Sequence, residues 1–288
     1  MSKKIIVTDS ACDIQQGLEN ELPIRMVPFV VNMDGKEYIS RKEISNEEFY
    51  ALLESSPSMP THSQITAYEF EGVYEELYQQ GYEDAVVILI NSEGSSTYDN
   101  SGMAAEAFYE NHPEARDVFR IHRFDSESYN GAYGYAVIEA AKMVQQEKPV
   151  EEILAFVRDW LDHAAIYFGM YSLKYAKRSG RIPSAAAFVG EALGLKPVMF
   201  IDDKKITTAA KTRGEKNLIP TLIKMSKEKM APGTGYSVIN GSNATHNADI
   251  IKQATEAFGS EPEHIFYVGA AVAANAGHDV VGIVFRQK

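Results

Sequence analysis

The sequence predicts an α/β protein of two domains, the first built on a mainly parallel sheet flanked by helices. Three observations carry that prediction. Apolar runs of strand length alternate with amphipathic stretches of helical spacing along the whole chain, the pattern of an α/β protein. The early strands each end in a small polar pair and then lead toward a helix, as strands of an open parallel sheet do. Charge is also divided unevenly: residues 1–165 hold 12 Lys+Arg against 30 Asp+Glu, and residues 166–288 hold 16 against 10. That asymmetry sets the expected domains at 1–165 and 166–288.

In chain order, the first strand is expected at residues 4–8, a short apolar run closed by Thr8 and Asp9. Helices follow at 46–55 and 67–80. In the second, Phe70, Val73, Tyr74 and Leu77 recur at helical spacing and define one buried face. Strands at 85–90 and 118–124 bracket a helix at 97–111. Helices at 129–146 and 150–163 are separated by Pro149, which suits the start of the latter. The second half reads as strands at 165–172, 196–201, 235–240, 264–268 and 280–285, with helices at 183–193, 214–229 and 244–258.

Composition narrows the function classes. Net charge is −12, and the acidic front half argues against nucleic acid as the main partner. The single cysteine, Cys12, excludes an internal disulfide and suits a reducing compartment. The N-terminal run is a strand rather than a signal peptide, and no stretch approaches the ~20 apolar residues of a membrane span. The expected location is therefore the cytoplasm. Positive charge gathers in residues 174–216, with ten basic residues against four acidic ones. It is either a solvated surface or a docking patch for a phosphate-bearing or acidic partner. Within it Arg178, Lys211 and Arg213 are the candidates for partner contact; Arg178 and Arg181 could instead brace a loop, whereas Lys211 and Arg213 stand in an expected turn at 210–214.

The three early strands run into Asp9-Ser10, Asn91-Ser92 and Asp125-Ser126. Ligands of open parallel sheets bind outside the carboxyl ends of the strands, so Asp9, Ser10 and Ser126 become candidate ligand residues. Helix capping explains any one of these pairs equally well. The segment Asn91-Ser92-Glu93-Gly94-Ser95-Ser96-Thr97-Tyr98 would gather hydroxyls and amides at a helix N-terminus, where an anion is favoured. A second hydroxyl-rich loop, Thr61-His62-Ser63-Gln64-Ile65-Thr66, also enters a helix. Residues 269–282 are a run of Gly, Ala and Val broken by Asn275, His278 and Asp279, where backbone can approach a ligand closely.

Catalytic motifs are absent. Ser95 lacks the following glycine of a G-x-S-x-G elbow, and there is neither a Walker loop nor a dinucleotide fingerprint. The seven histidines show no metal-ligand spacing, so no metal is expected.

Taken in order, these segments resemble the DegV family of bacterial fatty-acid-binding proteins. Ile6-Val7-Thr8-Asp9-Ser10-Ala11-Cys12-Asp13 is similar to that family's strand followed by D-S-x-x-D. Residues 61–66 fall on its T-S-Q-P-S-like loop, and residues 91–98 on its S-S-x-L-S-G-T-Y segment. Phe124-Asp125-Ser126 with Gly131 and Gly134 matches a D-S segment before a glycine-bearing helix. Leu173-Lys174-Tyr175-Ala176-Lys177-Arg178-Ser179-Gly180-Arg181-Ile182 is close to L-x-Y-L-x-K-G-G-R-I, and Leu195-Lys196-Pro197-Val198 follows as its K-P-I does. The correspondence spans nearly the whole chain.

The resemblance implies two α/β domains with an acyl chain between them and its carboxylate held by the hydroxyl loops. Ser95 takes the place of the family's carboxylate-binding serine, with Ser63, Ser96 and Thr97 beside it. It also implies a protein that is not itself an enzyme and has no cofactor. Such a protein delivers a bound long-chain fatty acid to a separate fatty acid kinase, which makes acyl phosphate for phospholipid synthesis. Two positions depart from the pattern: His62 stands at a threonine position and Asn275 at the family's histidine, so the two loops carry exchanged residue types. Gly94 replaces the family's leucine and Ser96 its glycine. A hydrolase or transferase using Ser95 with His62 as base is the main alternative, and a regulatory module with another ligand is a third.

Overall fold

The protein is described by a computed structural model covering residues 2–182, 194–202 and 205–288. The helix expected at 183–193 lies outside the described residues. The strands are β1 (Lys4–Asp9), β2 (Ile24–Val27), β3 (Val30–Met33), β4 (Lys36–Ile39), β5 (Thr61–Ser63), β6 (Asp84–Leu89), β7 (Arg120–Asp125), β8 (Ala164–Met170), β9 (Leu195–Asp202), β10 (Lys205–Arg213), β11 (Tyr236–Asn240), β12 (Ile265–Tyr267) and β13 (Val280–Arg286). The helices are α1 (Leu18–Glu21), α2 (Asn46–Ser55), α3 (Ala67–Gln79), α4 (Thr97–Asn111), α5 (Gly131–Gln145), α6 (Val150–Leu161), α7 (Ala176–Ser179), α8 (Leu218–Lys229), α9 (Ala244–Phe258) and α10 (Ala270–Ala276).

The first sheet has the order β2-β1-β6-β7 and every pairing is parallel. A parallel sheet is covered on both faces, and β6 accordingly buries all six of its residues. The expected face of α3 is buried, with Phe70, Val73, Tyr74 and Leu77 turned inward. Thr66 caps this helix in a reciprocal box with Glu69, and Ser45 does the same for α2 with Glu48. The second sheet has the order β10-β9-β8-β13-β11-β12, antiparallel except for β11 with β12. A small antiparallel sheet, β4-β3-β5, stands beside the first. The two α/β units share one hydrophobic core, while a second cluster lies under α8 and α9 on the other face of the second sheet. Polar links cross the seam: the Glu139 carboxylate accepts from His264 Nε2 at 2.9 Å, and the Tyr175 hydroxyl donates to the Leu53 carbonyl at 2.6 Å.

Several expected segments take another form. The strand expected at 118–124 begins at Arg120, because Val118 ends a 3-10 turn and is exposed. Helix α5 begins at Gly131, where Asn130 caps it from a positive-φ backbone. The expected turn at 210–214 is instead the end of β10, so Lys211 and Arg213 sit on an extended strand. The loop at 61–66 contains β5, and the small-residue run at 269–282 folds as α10 followed by β13. Alanine is the best helix former, which decides that segment. The helix expected from 214 starts at Leu218, after a 3-10 turn over Glu215–Asn217.

Candidate functional site

A cavity between the two units, together with the open solvent at its mouth, takes in about 740 Å³ of space between atoms. Phe29 and Ile90 close it from the first unit; Ile166, Phe168, Ile201, Ile239 and Val268 close it from the second. Its polar lining residues are His62, Tyr129, Asn130, Arg181 and Asn275. Such a space, apolar with a few convergent polar groups, has the form of a small-molecule site.

His62 and Asn275, expected on opposite loops, meet here. The pleat of β5 turns His62 inward and leaves its neighbours Thr61 and Ser63 exposed, so Ser63 faces away from the cavity. Asn275, near the end of α10, donates from Nδ2 to His62 Nε2 at 2.9 Å and to the Ala271 carbonyl at 3.0 Å. Accepting at Nε2 leaves the ring proton on Nδ1, and that nitrogen is buried with no partner among the described residues. Burial, with the positive charge of Arg181, pulls the His62 pKa below its ordinary value, so the imidazole is neutral at pH 7.

Ser95 lies immediately behind Gly94, which does line the cavity. Its hydroxyl is paired with Thr97 Oγ1 at 2.9 Å and accepts from the Thr97 amide at 3.3 Å. Thr97 Oγ1 in turn accepts the Ile65 amide at 3.2 Å, tying the loop before α3 to the start of α4. Ser96 is exposed and makes no side-chain cap. Because Ser95 bonds Thr97 and His62 bonds Asn275, the structure does not join Ser95 and His62 as nucleophile and base.

The three polar strand ends do fall on one edge, since β1, β6 and β7 are neighbours, but they do not reach the cavity. Asp9 is fully buried and accepts from the Ala11 amide (2.9 Å), the Ile90 amide (2.8 Å) and the Tyr133 hydroxyl (2.6 Å). Burial nonetheless pushes its pKa up to about 6 against those donors. Ser10 Oγ accepts the Phe29 amide at 2.9 Å, and Ser126 Oγ donates to the Ser128 carbonyl at 3.1 Å. Each is hydrogen-bonded to the backbone of a cavity residue (Ile90, Phe29) or of the loop leading to Tyr129.

Sequence reasoning passed over Tyr129 and Asn130 and placed Arg181 only in the basic cluster. Nothing in the sequence around Tyr129 and Asn130 marks them, and Arg181 joins them only in the folded chain. Arg181 also lines a groove outside the cavity with Glu93, Gly94, Tyr129, Gly180, Lys205, Ile206 and Thr207. Arg178, Lys211 and Arg213 are exposed, and Lys205, Lys211 and Arg213 share the outward face of β10. Among the described residues no group of His, Cys, Asp and Glu could hold a metal ion, and no helix is long and apolar enough to cross a membrane.

Fold and cavity together define a two-unit α/β protein with a largely apolar cavity at the seam. The chain belongs to the DegV family: the family profile described as "Uncharacterised protein, DegV family" matches residues 3–288. It is 32% identical over 285 residues to a DegV domain-containing protein of Staphylococcus aureus, covering 98% of this chain and 96% of that one. A DegV domain-containing protein of Caldanaerobacter subterraneus subsp. tengcongensis is 30% identical over 292 aligned positions, covering 100% of both. Among solved structures, a fatty-acid-binding DegV family protein from Thermus thermophilus superposes with a TM-score of 0.86 at 25% identity, covering 99% of this chain and 100% of that one. DegV of Bacillus subtilis, described as a fatty acid binding protein, superposes with a TM-score of 0.83 at 25% identity, covering 100% of both.

Proposed function

We propose that this protein binds a long-chain fatty acid in the cytoplasm and presents its carboxylate to a separate kinase for acyl phosphate formation and phospholipid synthesis. The observation that carries the reading is the seam cavity, aliphatic along most of its wall and polar at His62 and Asn275. The fatty-acid-binding relatives of the same fold support it. About 15 buried methylenes at ~0.8 kcal/mol each contribute on the order of 12 kcal/mol before ordering costs. The head group then needs enough hydrogen bonds to offset its desolvation. The unmet Nδ1–H of His62 is one donor for it, and the Ser95 hydroxyl, one residue behind the wall, is a second once the ligand draws it from Thr97.

The division into domains 1–165 and 166–288 belongs to this reading, with the acyl chain between them. The partner side is basic: Arg181 and Lys205 flank the outer groove, and Lys211 and Arg213 continue outward along β10. A kinase carrying nucleotide phosphates would meet that stripe, with Arg178 nearby in sequence to Arg181. Mass spectrometry of lipid extracted from purified protein tests the first half, with a long-chain acid expected in near-stoichiometric amount. A sugar phosphate or nucleotide in its place would overturn it. Acyl phosphate formed only when ATP and the cognate kinase are both added is the expected result for the second half.

A further inference from the structure

The inner cavity and the outer groove are separated by Gly94, Tyr129, Arg181 and Ile206, each of which faces both spaces. Tyr129 is seated on Gly94. A methyl group built on Gly94 would run into the Tyr129 hydroxyl and stand 3.0 Å from its Cε1, so only glycine leaves room for the ring. The backbone beneath the ring is fixed from behind. Asn130 holds a positive φ of 50°, donates from Nδ2 to the buried Asp13 carboxylate at 2.5 Å and caps α5 through its own oxygen. The phenol is therefore presented at the cavity mouth by the loop between β7 and α5, resting on Gly94 of the loop that holds Ser95.

Its hydrogen bonding is incomplete. Asn91 Nδ2 approaches the Tyr129 oxygen at 3.4 Å, a long contact, and among the described residues the hydroxyl donates its own proton to none. Burial raises the phenol's pKa, with Arg181 opposing, so the group keeps its proton at neutral pH. The positive charge of Arg181 reaches both Tyr129 and His62, and all three residues line the same cavity. Two neutral donors and a cation suit an anion and give an uncharged oxygen much less.

We propose that Tyr129 is a head-group ligand whose hydroxyl donates to the acid carboxylate at the cavity mouth, and that Gly94 is glycine in order to seat it. This rests on the acyl-binding reading and adds to it a determinant of acid over alcohol, in the cavity that His62 and Asn275 also line. The test is competition against the fluorescent acid cis-parinaric acid, using stearic acid and octadecanol with wild type, Tyr129→Phe and Gly94→Ala. Tyr129→Phe keeps the ring and removes one proton donor. The preference for stearic acid over octadecanol should fall about tenfold, since a hydrogen bond to a charged partner is roughly twice as strong as a neutral one. Gly94→Ala keeps the hydroxyl but unseats the ring, and should lose the same preference. The double variant should lose no more than either alone. An unchanged acid preference in Tyr129→Phe, with wild type binding stearic acid, would overturn this inference and leave the acyl-binding reading standing. Failure of wild type to bind either acid would overturn both.

Discussion

His62→Phe separates what the imidazole does for the ligand from what it does for the fold. Phenylalanine keeps the ring that packs edge-on against Phe29, with centroids 5.6 Å apart, and removes both nitrogens. The fold loses one neutral hydrogen bond, from Asn275 Nδ2 at 2.9 Å, worth about 0.5–1.5 kcal/mol net. It also loses a buried Nδ1 with no partner, which is a gain of similar size. Folding stability at pH 7 should therefore stay within about 1 kcal/mol of wild type. The ligand loses a charge-assisted donor, so fatty acid affinity should fall by about 1.5–3 kcal/mol, roughly 10- to 150-fold. Because burial lowers the His62 pKa below 6.5, the native state resists protonation. That contribution is present above pH 6.5 and is lost as pH falls, and His62→Phe should remove this part of the acid-side loss. A double-mutant cycle with Asn275→Ala, read by isothermal titration with a long-chain acid, should show coupling of ~0.5 kcal/mol or more. Nitrogen chemical shifts should identify the Nδ1-protonated tautomer. Strict additivity together with an Nε2-protonated ring would refute the pairing, and unchanged affinity in His62→Phe would remove the residue from the head-group site.

Ser95→Ala should weaken acid binding by ~1.5–3 kcal/mol and alter urea unfolding much less, whereas lost folding with intact affinity would make it only a brace for Thr97. Asp9→Asn puts an amide where three donors converge and should destabilise by about 1–3 kcal/mol in urea unfolding. Asp9 has a folded pKa raised from 3.8 to about 6, so its titration contributes stability that is present below 3.8 and lost as pH rises through about 6; the variant should lack that slope. Arg213→Glu should slow kinase-dependent acyl phosphate formation and change its salt dependence while lipid affinity holds. Identical phosphorylation kinetics would show that the stripe on β10 is solvated surface.

What the sequence made legible follows from how local each signal is. The α3 face was readable because four apolar residues at helical spacing need only one partner surface, and Pro149 was readable because a ring fixes φ wherever it stands. The β3–β4 hairpin was missed although its signal was present: Asp34-Gly35, both at positive φ, joins Val30–Met33 to Lys36–Ile39. Strand β10 was missed because half of its residues face water and its inward positions include Thr208, Ala210 and Thr212, which give little apolar contrast. At the site, the pairing of His62 with Asn275 could be anticipated from two exchanged residue types. The strand-end carboxylate and hydroxyls could not be sorted into ligands and braces, since Asp9, Ser10 and Ser126 have the same composition in either role. That distinction depends on where the Ile90 and Phe29 amides fall in space.

Strand β10 ends its sheet, and an edge strand offers unpaired backbone groups to any other chain that can lie alongside. Lys205, Lys211 and Arg213 are exposed on the outward face of this strand, with Thr207 and Ala209 between them. Two copies brought together edge to edge would set these cations against one another, so the row disfavours self-association. At the opposite edge β12 has only three residues, which is too short to template an extended ladder. The same positive side chains that would receive an anionic partner thus guard the sheet against its own duplicate. A variant with apolar residues in their place should be read for oligomerisation before any loss of partner binding is attributed to charge.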